Sequence, residues 1–163
     1  MRVLPVLVTA LLVAACGSHP AAAPRTTTRL AVQPPRQLTA RPAPVVPPPP
    51  AACAAARACV DTAHRRAWLL DHGTVVAGPV PVSLGGAGHE TPRGTFDVAW
   101  KDQVHTSSSY GLPMPYSVFF APGGIAFHEG DVPHPSHGCV HLRHADAQLF
   151  FATLQHGDEV VVT

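Results

Sequence analysis

Short apolar runs separated by turn residues dominate the chain from about residue 58 onward. Runs at 67–70 and 74–77 flank a three-residue turn that contains Gly73, a pattern typical of a β-hairpin. Further β-favouring runs, each next to glycine or proline, lie at 80–84, 95–100, 116–121 and 124–128. This part of the chain therefore predicts several short strands.

One segment has a helical pattern. Residues 144–155 place Leu149, Phe150 and Leu154 among polar positions, and Gly157 follows as a stop signal. Residues 158–163 then favour a closing strand. We predict a mostly β domain over residues 58–163, built of mixed sheets with one short helix near the C-terminus.

The first sixteen residues have the features of a secretory signal. Arg2 is followed by an apolar stretch at 3–13 and by small residues before Cys16. This stretch is about half of the roughly 20 residues that span a bilayer, which disfavours a permanent transmembrane helix. Residues 13–16, VAAC, resemble the lipobox of bacterial lipoproteins, which implies cleavage before Cys16 and its lipidation. The alternative is an ordinary secreted protein that is cut at a nearby alanine.

Residues 17–57 are rich in alanine and proline and show no apolar periodicity. Such a composition cannot build a core, so we predict a disordered linker between anchor and domain. Cys53 and Cys59 form an even pair in an exported, oxidising setting, which favours a disulfide over two reduced thiols.

The charge pattern is weak. The net charge is +1, with no basic run, so nucleic acid is not an expected partner. The sequence does not predict an oligomeric state.

Five of the eleven histidines and one cysteine lie within residues 128–144, HEGDVPHPSHGCVHLRH. One interpretation is a metal-binding envelope protein with four candidate zinc ligands, which are His137, Cys139, His141 and His144. However, the segment has neither a paired Cys-x-x-Cys nor a second histidine four residues after His128, and its prolines favour a loop. We therefore expect no metal and no other cofactor.

The same segment contains the residues of a thiol nucleophile. A cysteine attacks as the thiolate, and an imidazole can remove its proton, so His128, His137 and His141 are candidate partners of Cys139. Gly138 lets backbone N–H groups approach a substrate carbonyl, as an oxyanion hole requires. The pattern favours acyl transfer.

The motif SHGCV at 136–140, with IAFH at 125–128 before it, resembles the L,D-transpeptidase catalytic domain, also called the YkuD domain. TPRGTF at 91–96, MPY at 114–116 and GDEVVV at 157–162 are similar to further stretches of that family. The resemblance covers about residues 58–163. It implies a β-rich fold with a cleft, and cell-wall peptidoglycan stem peptides as partners.

The family's roles carry over by position. Cys139 corresponds to the nucleophile that attacks the third stem residue, releases D-Ala and leaves a thioester, and His128 to the proton donor and acceptor. Ser136, His137 and Gly138 correspond to residues that line the nucleophile and the oxyanion. Tyr116 and His141 are candidate substrate contacts, and His134 and His144 have no counterpart.

Two positions depart from the family pattern. His141 stands where Arg or Asn is common, which puts a fixed contact to a substrate carboxylate in doubt. Glu129 stands where Gly or Ser is common, and its carboxylate is expected to raise the pKa of His128.

The resemblance implies a transpeptidase that forms 3→3 cross-links, or an L,D-carboxypeptidase if water replaces the acceptor amine. Together with Cys16, it predicts an exported enzyme, lipid-anchored to the outer face of the cytoplasmic membrane and facing the cell wall.

Overall fold

A computed structural model describes residues 46–163, which form two β-sheets and one helix. The nine strands in chain order are β1 (Ala58–Asp61), β2 (Arg66–Asp71), β3 (Thr74–Pro81), β4 (Gly94–Asp97), β5 (Trp100–Thr106), β6 (Pro113–Ala121), β7 (Ile125–Glu129), β8 (Val140–Leu142) and β9 (Glu159–Val162). Helix α1 spans His144–Thr153, and a short 3-10 turn spans Ala51–Cys53. The prediction of a mostly β fold with one short helix is confirmed.

The strands form a five-stranded sheet in the order β3-β2-β1-β9-β4 and a four-stranded sheet in the order β5-β6-β7-β8. Strands β1 and β9 are parallel, as are β7 and β8, whereas the other neighbours are antiparallel. The predicted hairpin at 67–77 is β2 and β3.

The main core lies between the inner faces of the two sheets and the inner face of helix α1. Phe127 of β7 and Phe150 of the helix are fully buried, with ring centroids 5.1 Å apart. Leu69 and Val60 of the five-stranded sheet belong to the same cluster. Burying side chains of this size stabilises the fold by about 1.5–3 kcal/mol each, so this cluster fixes how β7 sits in the domain.

The run at 95–100, predicted as one strand, is divided between the two sheets. Asp97 ends β4 in one sheet and Trp100 begins β5 in the other. Val98 lies between them with its side chain buried, and its N–H donates to the carbonyl of Asp158. The crossover is therefore held by burial and by a hydrogen bond to the segment before β9.

The predicted strand at 80–84 is also different in the structure. Strand β3 ends at Pro81, and the next residues form only isolated bridges, from Ser83 to His141 and from Gly85 to Ser136. These bridges attach residues 83–85 to the segment that contains the SHGC motif. The helix ends at Thr153, two residues before the predicted end.

The packed domain begins before residue 58. Cys53 and Ala56 are buried, and the N–H of Arg57 donates to the carbonyl of Glu159. A disulfide joins Cys53 to Cys59. The signal, Cys16 and most of the proline-rich linker lie outside the described residues. No helix within residues 46–163 is long and apolar enough to cross a membrane.

The Cys53–Cys59 disulfide closes a short loop against the buried side chains of Trp68 and Leu70. In the chain-entropy treatment a loop of this size stabilises by about 2 kcal/mol. We expect the double variant Cys53→Ala/Cys59→Ala to lower the free energy of unfolding by that amount, measured by urea denaturation. The wild-type protein treated with a reductant serves as the control. An unchanged urea midpoint in both samples would contradict this expectation.

Candidate active site

The register of β7 and β8 brings Cys139 and His128 to one face of the four-stranded sheet. The two strands are parallel, with Phe127 opposite Val140 and His128 opposite His141. Phe127 and Val140 are fully buried in the core, and side chains alternate between the faces of a strand. Cys139, immediately before β8, therefore shares the other face with the two histidines. All three line a cavity of about 430 Å³.

His128 is held in one orientation by the backbone of the next residue. Its Nδ1 lies 2.7 Å from the carbonyl oxygen of Glu129. Because a carbonyl only accepts, Nδ1 carries the proton and Nε2 is left as the basic atom. The side chain is 6% exposed, so the ring has little freedom to move.

The environment of His128 disfavours its charged form. The pKa of His128 is lowered to about 4, mainly by burial and in addition by the charges that His141 and His105 can carry. The hydrogen bond to Glu129 and the Glu129 charge act in the opposite direction and are weaker. The expected effect of Glu129, which raises the pKa of His128, is therefore present, but burial outweighs it and the net shift is downward.

Cys139 carries a free thiol, half-buried at the cavity floor. Its S–H points to the carbonyl oxygen of Gly124, 3.7 Å from the sulfur. Burial raises the pKa of the Cys139 thiol and outweighs a hydrogen bond from the backbone of Ala126, which lowers it. Near pH 7 the site therefore holds a neutral thiol beside a neutral imidazole.

Ser136 fixes the turn that presents Cys139. Its buried hydroxyl donates to the carbonyl of Cys139 at 2.6 Å and accepts from the N–H of Gly138 at 3.1 Å. The Ser136 backbone is held in turn, because its N–H donates to the carbonyl of Leu84 and its carbonyl accepts from Gly86. The turn is thus fixed on both sides.

Gly138 occupies a backbone conformation that requires glycine. Its φ is +114°, and a Cβ atom there would lie 2.6 Å from Cδ1 of Ile125. The small residue in the motif is therefore explained by the close approach of β7 to the turn.

His137 is exposed and forms part of an aromatic cluster at the cavity wall. Its ring stacks on Tyr110 at 4.3 Å and meets the edge of His89 at 5.1 Å. Tyr110 lies in the loop between β5 and β6, which also lines the cavity. Tyr110 was not predicted from the sequence, where its only signal is an aromatic residue beside three serines and a glycine.

His141 lies beside His128 with its ring edge-on, 4.7 Å between centroids. Its Nδ1 is 3.2 Å from the carbonyl oxygen of Asp131. Gly130 leaves room for the ring, since a Cβ there would lie 2.6 Å from Cγ of His141. Burial lowers the pKa of His141, so this position presents a neutral imidazole near pH 7.

Tyr116, expected as a candidate substrate contact, is not among the residues that line the cavity. Its hydroxyl accepts a hydrogen bond from Nε2 of Gln148, and its ring packs against His144 and Phe151. The φ of Tyr116 is +58°, which reverses the alternation of β6 and turns the side chain towards helix α1. These contacts favour a packing role for Tyr116, and its role as a substrate contact stays a prediction.

The two histidines without a family counterpart, His134 and His144, are paired with carboxylates and do not line the cavity. Nδ1 of His144 lies 2.8 Å from a carboxylate oxygen of Glu129, and Nδ1 of His134 contacts the carboxylate of Asp131 at 2.5 Å. No group of three His, Cys, Asp or Glu side chains within residues 46–163 is arranged to hold a metal ion. The four candidate zinc ligands therefore do not form a binding set in this part of the chain.

A sequence model of the L,D-transpeptidase catalytic domain, YkuD, matches residues 55–162. The chain belongs to this family. A probable L,D-transpeptidase 3 of Mycobacterium tuberculosis is 29% identical over 104 residues, which cover 52% of this chain and 38% of that protein.

Solved structures share the fold. An L,D-transpeptidase from Stackebrandtia nassauensis matches with a TM-score of 0.61 and 31% identity, over 65% of this chain and 54% of that one. L,D-transpeptidase 3 of M. tuberculosis, in complex with a faropenem-derived adduct, matches with a TM-score of 0.60 and 23% identity, over 67% and 60%. The chain thus spans about two fifths of its curated L,D-transpeptidase relative and somewhat more than half of these structures.

The neutral state of Cys139 and His128 can be tested through the pH dependence of thiol reactivity. We expect the alkylation rate of Cys139 by iodoacetamide to keep rising beyond pH 9, because burial raises the pKa of the thiol. The rate is measured by mass spectrometry on the peptide that carries Cys139, with glutathione as the reference thiol. A plateau between pH 5 and pH 8 would show a preformed thiolate–imidazolium pair and contradict the expectation.

Proposed function

We propose that this protein is a peptidoglycan L,D-transpeptidase that forms 3→3 cross-links through a thioester on Cys139. The observation that carries the proposal is the placement of Cys139 and His128 on one face of β7 and β8, inside one cavity. Family membership supports the same reaction class.

In the first step, Sγ of Cys139 attacks the carbonyl carbon of the third stem residue while Nε2 of His128 takes the thiol proton. The pKa of His128 is about 4 and that of the thiol lies above its ordinary value. Since each pKa unit corresponds to about 1.4 kcal/mol, transfer of the proton before the attack would be costly. His128 therefore acts as a general base during bond formation.

The resulting oxyanion needs hydrogen-bond donors in the turn at 136–139. The N–H of Gly138 donates to Ser136, so we assign the oxyanion to the N–H of Cys139, with Gly138 leaving space for the substrate. When the tetrahedral intermediate collapses, the C–N bond to D-Ala breaks. The protonated His128 returns its proton to the leaving amine, and the thioester remains.

In the second step, the amine of an acceptor stem attacks the thioester carbonyl. His128 takes a proton from this amine, the C–S bond breaks, and the thiol of Cys139 regains its proton. The product is a 3→3 cross-link. Attack by water on the same thioester would give an L,D-carboxypeptidase, so the two activities differ only in the acceptor.

The decisive experiment is a mass measurement on the protein incubated with a disaccharide-tetrapeptide. We expect D-Ala release and an acyl adduct on the peptide that carries Cys139, and cross-linked product when an amine acceptor is present. Cys139→Ser should form no thioester. His128→Ala should slow acylation by about 10²- to 10⁴-fold, since it removes a positioned base. A folded wild-type protein that forms no adduct would refute the proposed function. D-Ala release without any cross-linked product, even when the amine acceptor is present, would indicate an L,D-carboxypeptidase.

The lipid anchor is a separate part of the proposal and rests on the sequence before Cys16. An acyl-modified Cys16 would place the enzyme on the outer face of the cytoplasmic membrane, facing the cell wall, because several acyl chains give stable anchoring. We expect the wild-type protein in the membrane fraction of producing cells and Cys16→Ser in the soluble exported fraction. Cys139→Ser serves as the matched control and should stay with the membrane. Equal distribution of the two variants would exclude lipidation.

A further inference from the structure

The cavity has an exposed aromatic wall that the proposed reaction does not use. Trp100 of β5 stacks on Phe119 of β6 with ring centroids 3.7 Å apart and an angle of 7° between the planes. Both residues line the cavity, and Trp100 is 46% exposed. Because Phe119 covers one face of the indole, the opposite face is the open one. We call this pair the aromatic platform.

The strand registers place the aromatic platform level with Cys139. Trp100 pairs with Phe119, Phe119 pairs with Ala126, and Ala126 is level with Cys139 in the β7–β8 ladder. The four residues form one row across the sheet. Three steps between neighbouring strands, at 4.7–4.9 Å each, put Trp100 about 14 Å from Cys139.

Polar groups surround the aromatic platform. The ring of His105 meets Trp100 edge-on at 5.4 Å and Phe119 at 5.0 Å, and its Nδ1 lies 3.2 Å from the carboxylate of Asp102. Nε2 of His105 is therefore left to contact a ligand, and Ser107 and other serines of the same loop line the cavity.

A flat indole face beside imidazole and hydroxyl groups is suited to binding a sugar ring. The face of an aromatic ring is electron-rich and attracts the weakly positive C–H groups on one side of a sugar ring. The hydroxyls and the acetamido group of an amino sugar project from the ring edge. They can form hydrogen bonds with His105 and with the serines that line the cavity. The residues that line the cavity include no Lys or Arg, so an anionic ligand such as a phosphate is not favoured.

We propose that the aromatic platform binds the amino sugar that carries the donor stem peptide. This inference rests on the proposed function, in which the third stem residue lies at Cys139. Three extended residues reach about 10 Å, and the acyl group that joins them to the sugar adds the remaining length. The uncovered face of Trp100 lies on the side away from Phe119 and Cys139, so the sugar ring lies about 3.5–4 Å farther from Cys139 than the indole does.

The kinetic test compares acylation of Cys139 by a disaccharide-tetrapeptide and by the same tetrapeptide without sugar. We expect Trp100→Ala to lower kcat/KM for the sugar-bearing substrate about tenfold more than for the free peptide, the change that losing about 1.4 kcal/mol produces. Trp100→Phe should retain most of the preference, because it keeps an aromatic face. Val104→Ala is the matched control, since Val104 lies on the same strand, is 84% exposed and is not among the residues that line the cavity.

Equal losses for the two substrates in Trp100→Ala would overturn the inference and assign Trp100 to the peptide. If neither substrate acylates the wild-type protein, the proposed function fails. A binding measurement still shows whether the aromatic platform binds a sugar. For this purpose Cys139→Ala is titrated with the disaccharide of N-acetylglucosamine and N-acetylmuramic acid. The chain has two tryptophans, of which Trp68 is buried, so we expect a saturable fluorescence change that is lost in Trp100→Phe/Cys139→Ala. No saturable change would also overturn the inference.

Discussion

The parallel pairing of β7 with β8 is the constraint on which the site depends. His128 and Cys139 are eleven residues apart, and they share a face only because Phe127 is paired with Val140. A slip of one residue would turn Cys139 into the core and Val140 into the cavity. The register is held by the burial of Phe127 against Phe150 and by the bridge from Ser83 to His141. The same contacts therefore stabilise the core and align Cys139 with His128.

Burial of this pair sets its chemistry as well as its geometry. Removing water from His128 and Cys139 favours the uncharged form of each, which lowers the pKa of the imidazole and raises that of the thiol. In the proposed reaction, such a thiol is activated only when a carbonyl carbon is in place to accept its electrons. Substrate positioning by the cavity wall would then contribute to the rate of that reaction.

The sequence predicted the parts whose signal is local, and it missed those that depend on pairing between distant strands. The hairpin at 67–77, the helix and the closing strand have clear patterns of apolar residues and turn signals. Strand β8 has only three residues, too few to show a periodicity. Residues 95–100 form one apolar run, and nothing local indicates that Val98 crosses between the sheets. Trp100 reaches the cavity through strand pairing, and Tyr110 through the folding of its loop. The residues that each contacts are distant in sequence and could not be predicted from the local pattern.

Glu129 and His141, the two departures from the family pattern, both leave the His128 ring in its position, but in different ways. At Glu129 the backbone carbonyl accepts from His128, while the carboxylate is directed to His144. The side chain is thus held by a partner outside the cavity, which limits its influence on the base. At His141 the imidazole packs edge-on against His128, in space that Gly130 leaves open. An arginine here would place a permanent charge beside His128 and lower its basicity further. An imidazole whose pKa burial lowers is neutral near pH 7, so it fills the same position with less electrostatic cost to the base.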